Sequence, residues 1–244
     1  MKGWGFFRAS GHVPSSAELI RLRTQTGWEK MSLDAQDRAV RFSVAELELD
    51  PGGIGKGFAV DAAVALLRSR GVKAALISAG SSTIYAIGAP PGEEGWRVDI
   101  PDPRVPERET TLPLATVFLR DLSISSASCT EKHFTLAGRE YCHIMNPKTL
   151  QPVREMLSVS VTDSSATASD ALSNVLFVKG EQSGTEFMKT LPKDSAILVS
   201  GEVDATPRPA HCTAVHWDKA WGTSGGKNMA GKMPSVAQWC NTVR

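Results

Sequence analysis

No apolar run in these 244 residues approaches the roughly 18–20 that a bilayer-spanning helix needs. Net charge is nearly absent: 27 basic against 26 acidic residues gives +1, which removes the electrostatic case for nucleic-acid or anionic-membrane binding. No C-x-x-C pair or zinc-ribbon spacing exists among the four cysteines, Cys129, Cys142, Cys212 and Cys240. Ordinary thiols are therefore expected, rather than a structural disulfide or a metal site. Cys142-His143 lacks the partner cysteine that haem attachment needs three residues earlier. The opening residues, Met1 to Arg8, carry Lys2 but no apolar stretch of secretory length, so this chain by itself predicts no export. There is no internal repeat. What remains, 41% hydrophobic and 22% charged residues, is the composition of a globular protein with a real core, in one large domain or two small ones.

Periodicity and punctuation predict a helix over about 15–26, one or two strands in 40–49, and a helix from the glycine turn at 52–57 to about Arg70, stopped by Gly71. Phe58, Ala62, Ala63, Leu66 and Leu67 recur there at helical spacing. Strands follow at 72–79, 83–88, 96–100, 114–120 and 122–126, and 134–144 reads as a hairpin turning on Ala137-Gly138. A strand at 157–162 leads to a helix over 166–178 ending at Gly180, a second helix over 181–190, and a strand at 196–199. Hairpins mixed with a few helices predict an α+β fold. Residues 201–244, rich in Gly, Pro, Ser and Trp, read as an irregular tail beyond a 1–200 core.

Three segments carry chemistry-bearing residues. The first is Asp50-Pro51-Gly52-Gly53-Ile54-Gly55-Lys56-Gly57-Phe58-Ala59-Val60-Asp61. Backbone N–H groups, a helix N-terminus and the Lys56 ammonium converge there, which suits a phosphate. It is no Walker A loop, because Asp50 and Gly57 stand where that motif needs Gly and Ser or Thr. It is no Rossmann fingerprint either, because Phe58 replaces its last glycine. Asp61 is one turn into the helix and could pair with Lys56 or accept hydrogen bonds from a ribose or ring. In the second segment Asp170 and Asn174, four apart, share a helix face and offer hard oxygen ligands suited to Mg²⁺. The apolar positions Ala171, Leu172, Val175, Leu176 and Val178 would dock on the sheet. In the third, His143 sits at a strand end before a proline turn, where a neutral imidazole could take a proton from a hydroxyl. A serine-hydrolase elbow at Gly80-Ser81-Ser82 fails for want of a following glycine.

Asp50 to Asp61 resembles the D-x-G-x-I-x-K-G-[YF]-A-x-D segment of the ApbE family, the FAD:protein FMN transferases. Tyr141-Cys142-His143-Ile144-Met145-Asn146-Pro147 is similar to that family's Y-x-H-I-[IM]-D-P segment, and Ala168 to Phe177 to its A-D-A-L-x-T-x-L-F segment. Trp96-Arg97-Val98, Asp102-Pro103 and Glu131-Lys132-His133-Phe134 fall where the family has similar residues, so the resemblance runs from about Trp4 to Val199. It implies an ApbE-like fold of mixed and antiparallel sheets with packed helices. It further implies an enzyme that binds FAD with Mg²⁺ and moves the FMN half onto a Thr or Ser hydroxyl of a target flavoprotein, releasing AMP. By the same resemblance, Gly52, Gly53, Gly55, Lys56, Asp61 and His143 contact the cofactor. Gly53 (through its carbonyl), Asp170 and Asn174 hold the metal. His143 deprotonates the acceptor, and Lys56 steadies the phosphates.

Family members usually carry a further portion before the position of Trp4, with flavin contacts and an export signal or lipoprotein cysteine. A periplasmic or membrane-anchored location is thus implied for the family, and a cytoplasmic one if Met1 is the natural start. Asn174 stands where Thr is usual, Asn146 replaces Asp, and Leu150 replaces the Gly of the D-P-x-T-G turn. Two other activities are compatible with the same residues: an FAD pyrophosphatase giving FMN and AMP, and a non-catalytic flavin-binding remnant.

Overall fold

The computed structural model describes residues 1–7, 11–80, 82–105, 113–129, 132–203, 209–217 and 235–243. Ser81, Glu131 and, in the expected tail, 204–208, 218–234 and 244 lie outside these. The chain divides into two units, Met1–Pro51 with Glu131–Val153, and Gly52–Thr130 with Arg154–Arg244.

In the first unit helix α1 (Ser16–Thr24) opens on a capping box: Glu18 N donates to Ser15 Oγ while Ser15 N donates to Glu18 Oε2. Strands β1 (Met31–Asp34) and β2 (Ala39–Phe42) pair antiparallel, as do β8 (His133–Leu136) with β9 (Arg139–Cys142) and β10 (Met145–Asn146) with β11 (Gln151–Pro152). The β8–β9 turn puts both Ala137 (φ 50°) and Gly138 (φ 75°) in the left-handed region, as a two-residue type I′ hairpin requires. Phe134 and Tyr141, paired across that hairpin, stack at 5.0 Å, and Phe6 and Trp4 extend the aromatic row at 5.1 and 5.7 Å. These rings supply much of the small unit's packing.

The second unit is built on strands β3 (Ala75–Ala79), β4 (Thr83–Ile87), β7 (Leu122–Ser128), β12 (Met156–Asp163), β13 (Ser195–Gly201), β14 (Ala210–Val215) and β16 (Cys240–Val243). They form one sheet in the order β16-β14-β13-β12-β7-β4-β3, antiparallel except for the β14–β16 pair. A smaller antiparallel sheet joins β5 (Trp96–Ile100), β6 (Ala115–Leu119) and β15 (Ser235–Val236). Helices α2 (Gly55–Ser69) and α3 (Ala166–Met188) pack against each other and against the large sheet. α3 is two helices joined at Gly180, whose φ of 77° breaks it where the sequence predicted a stop. Among the described residues no helix is long and apolar enough to cross a membrane, which says nothing of a β-barrel.

Four expectations are corrected. The segment after Gly201 is not irregular throughout, since β14 and β16 complete the large sheet. The cysteines are not ordinary thiols: Cys212 and Cys240, paired across β14 and β16, form a disulfide, and no described cysteine is free. A sequence separation of 28 matches no motif, so only the parallel register reveals that pair. On α2 the buried stripe is Gly57, Val60 and Val64, with Leu67 against it, whereas Phe58 and Leu66 are 69% and 57% exposed. This helix is apolar nearly all round, so period alone could not choose its inner face. On α3 the buried residues include Ser169, Asp170, Ser173, Leu176 and Phe177, while Val175 is exposed. Ser169 Oγ lies within hydrogen-bond distance of the Ser123 and Ser125 hydroxyls, at 2.7 and 2.8 Å, and of Ala166 O. Its polarity is thus satisfied, and its small size lets the helix approach the sheet.

Candidate active site

Pro51–Gly53 makes a 3₁₀ turn that delivers the chain to α2. The N-cap residue, Ile54, offers no side-chain cap, so the first-turn amides need other acceptors. Gly57 N finds one in Asp170 Oδ2 at 2.9 Å, a contact across 113 residues. Gly57 must be glycine: a Cβ there would lie 2.2 Å from Ala166 O and 2.7 Å from Thr167 Cα. The first turns of α2 and α3 therefore meet backbone to backbone.

Near that crossing lie the residues expected to hold a metal. Asp170 is 4% exposed, so its carboxylate is held in a dry site with one oxygen on Gly57 N. Asn174, one turn on, donates Nδ2 to Asp170 O at 3.0 Å, so Oδ1 is the amide atom with lone pairs to offer a cation. Gly53 faces the same amide; a Cβ on Gly53 would lie 3.5 Å from Asn174 Nδ2 and 3.6 Å from Cγ. The donors expected here, a carboxylate, an amide oxygen and a backbone carbonyl, are all hard oxygens. Among the described residues no group of three His, Cys, Asp or Glu side chains could cage a metal. These residues fit an ion that takes few protein ligands and completes its shell with phosphate oxygens and water, which is the habit of Mg²⁺.

Lys56 points from the first turn of α2 to Ser82, whose Oγ accepts a hydrogen bond from Nζ. Ser82 is buried on the turn between β3 and β4. Sequence reasoning weighed this turn only as a hydrolase elbow and missed that Ser82 orients the lysine. Gly52 is exposed and Gly55 half-buried in the same lead-in to α2.

Asp61 is held by α3. Its carboxylate accepts four hydrogen bonds from the start of α3: Ala166 N to Oδ1 at 2.8 Å, and Ser165 Oγ, Thr167 N and Thr167 Oγ1 to Oδ2 at 2.7, 2.9 and 2.6 Å. Burial pushes its pKa up, but the hydrogen bonds from Thr167, Ser165 and Ala166 outweigh this and hold it below the usual carboxylate range.

His143 belongs to the other unit, just past β9. Its backbone N donates to Lys132 O at 3.1 Å, and its ring Nδ1 lies 2.9 Å from the same carbonyl. A carbonyl only accepts, so Nδ1 carries the hydrogen and the neutral ring has its lone pair on Nε2. The turn that follows is closed by Asn146 Oδ1, which accepts from Lys148 N at 2.9 Å and Thr149 N at 3.4 Å.

Residues 1–199 match the ApbE family. The chain is 28% identical over 210 residues to an FAD:protein FMN transferase of Rhodobacter capsulatus, covering 85% of this chain and 39% of that protein. It is 29% identical over 209 residues to the FAD:protein FMN transferase of Treponema pallidum, covering 80% and 56%. It thus spans about half the length of such relatives. Its fold is similar to the ApbE protein of Thermotoga maritima, with a TM-score of 0.74 at 24% identity over 86% of this chain and 66% of that one. It is also similar to the apo flavinyl transferase ApbE of Pseudomonas stutzeri, with a TM-score of 0.69 at 27% identity over 86% and 63%.

Proposed function

The chain belongs to the ApbE family, and from that premise we propose that it binds FAD with Mg²⁺ and transfers the FMN moiety to a Thr or Ser hydroxyl of a target flavoprotein, releasing AMP. The observation that carries this reading is the convergence of Gly53, Asp170 and Asn174 at the uncapped start of α2, beside Lys56.

Phosphoryl transfer asks a protein mainly for positioning and charge. The N-terminal amides of α2 and the Lys56 ammonium hold the pyrophosphate; an exposed helix terminus alone contributes only about 0.3–1 kcal/mol for an anion. Asp170, Asn174 Oδ1 and the Gly53 carbonyl hold Mg²⁺, which when bound supplies the larger neutralisation of phosphate charge. His143 Nε2 takes the proton of the acceptor hydroxyl. The acceptor oxygen bonds to the FMN phosphorus as the P–O bond to the AMP phosphate breaks, so one phosphoester replaces the pyrophosphate linkage and AMP departs with the electron pair.

The test incubates the chain with FAD, Mg²⁺ and a flavoprotein domain bearing an acceptor Thr, followed by intact-mass spectrometry. An FMN adduct is expected. Its absence on a domain that a longer ApbE protein does modify overturns the reading, and free FMN and AMP without a target would make the chain a pyrophosphatase.

A further inference from the structure

Asp61 reaches from one helix of the second unit to another. Its four hydrogen bonds, between 2.6 and 2.9 Å, all come from Ser165, Ala166 and Thr167, which lie 104 to 106 residues downstream. Those residues are the N-cap and first turn of α3, the helix that carries Asp170 and Asn174. Asp61 itself is in the second turn of α2, the helix that begins with Gly55 and Lys56.

We propose that Asp61 is a positioning residue that clamps α3 to α2 and thereby sets the separation of Asp170 and Asn174 from the Gly53 carbonyl. The inference rests on the transferase reading for what the clamped site does, but not for the clamp itself.

Three observations converge. The Asp61 carboxylate caps α3 as an N-terminal anion should, so breaking it frees two buried-end amides and two hydroxyls at once. Gly57, one turn before Asp61 on α2, is in backbone contact with Ala166, so the clamp and the close approach act on the same pair of turns. Asp170 Oδ2 is tied to Gly57 N, so a displacement of α3 along α2 pulls directly on a proposed metal ligand. Three of the four bonds fall on Oδ2 and one on Oδ1, so both carboxylate oxygens are oriented by α3.

The test compares wild type, Asp61→Asn and Thr167→Val in two measurements: Mg²⁺-dependent FAD binding followed by flavin fluorescence, and amide hydrogen exchange at Ala166 and Thr167. Asp61→Asn turns an NH₂ group toward α3 donors. It is expected to speed exchange at both amides and to raise the Mg²⁺ concentration for half-maximal FAD binding about tenfold. FAD affinity at saturating Mg²⁺ is expected to recover. Thr167→Val, which removes one donor, should shift the Mg²⁺ requirement in the same direction by less. Weakened FAD binding at every Mg²⁺ concentration would overturn the proposal in favour of direct contact between Asp61 and the cofactor. A lower melting temperature with an unchanged Mg²⁺ requirement would overturn it in favour of a purely structural cap. If wild type shows no Mg²⁺-dependent FAD binding, the transferase reading falls instead, and unaltered exchange in Asp61→Asn then refutes the clamp on its own.

Discussion

Gly57 lies against the carbonyl of Ala166 so closely that a Cβ would sit 2.2 Å from its oxygen and 2.7 Å from its carbon. Backbone atoms cannot rotate away as a side chain can, so Gly57→Ala must separate α2 from α3. Overpacking of this kind costs about 1–3 kcal/mol. Because Gly57 N also binds Asp170, the variant is expected to lose Mg²⁺ affinity out of proportion to its stability. Thermal melts with and without Mg²⁺ measure both: wild type should gain stability from the ion with FAD present, and Gly57→Ala should gain much less.

His143 and Lys56 should separate kinetically. Removal of the proposed base, His143→Ala, is expected to lower kcat about 10²–10⁴-fold with a smaller loss of FAD affinity than Lys56→Met shows. Lys56→Met is expected to raise the KM for FAD and to leave the pH dependence of turnover in place. Equal loss of FAD affinity in both variants would remove His143 from the proton-transfer role.

Leu150 adopts φ 59°, a left-handed conformation that costs a residue with a Cβ about 1–2 kcal/mol. This is the position where the D-P-x-T-G turn has glycine, and the geometry gives the reason. Leu150 also holds the first unit together, since its carbonyl accepts the Trp4 indole N–H at 2.9 Å. Leu150→Gly keeps that carbonyl and relieves the strain. It is expected to stabilise the unit by up to about 1 kcal/mol after the extra flexibility of glycine in the unfolded chain is counted. A lower midpoint in urea would show that the half-buried leucine side chain contributes more than its backbone costs.

The sequence was most legible where local chemistry decides the conformation. The hairpin at Ala137-Gly138, the start of α1, the break at Gly180 and the stop at Gly71 all depend on a few neighbouring residues, and each is found as expected. That Asp170 and Asn174 share one helix was legible from their spacing. What escaped depends on contacts between distant segments. Nothing near Asp61 announces that Ser165 to Thr167 will bind it, and nothing near Lys56 announces Ser82. The inner face of α3 is not the apolar row alone because the hydroxyls of Ser169 and Ser173 find partners inside the fold. Ser173 in fact donates to Asp170 O at 2.8 Å within its own helix.

Asp194 supplies a pH test of the second unit. Its pKa is raised from 3.8 to about 6, first by burial, then by the charge of Asp163 and the hydrogen bond shared with it, with Lys193 opposing. Asp163 is itself anchored, because its Oδ1 accepts from Ser165 N at 2.7 Å at the start of α3. Folding therefore favours the protonated form of Asp194. The stability this contributes is fully present below about pH 4, where the unfolded chain is also protonated, and is lost as pH rises through about 6. A shift of this size is worth about 3 kcal/mol in a dry site, but the side chain is partly exposed and water screens it to about 1 kcal/mol. Asp194→Asn stays neutral and can donate to Asp163 at every pH. It is expected to raise the melting temperature by about 2–4 °C at pH 7.5 and to change it little at pH 4. Melts across that range decide the point: a gain of equal size at both ends would mean that packing of the amide, not relief of the Asp163–Asp194 repulsion, is responsible.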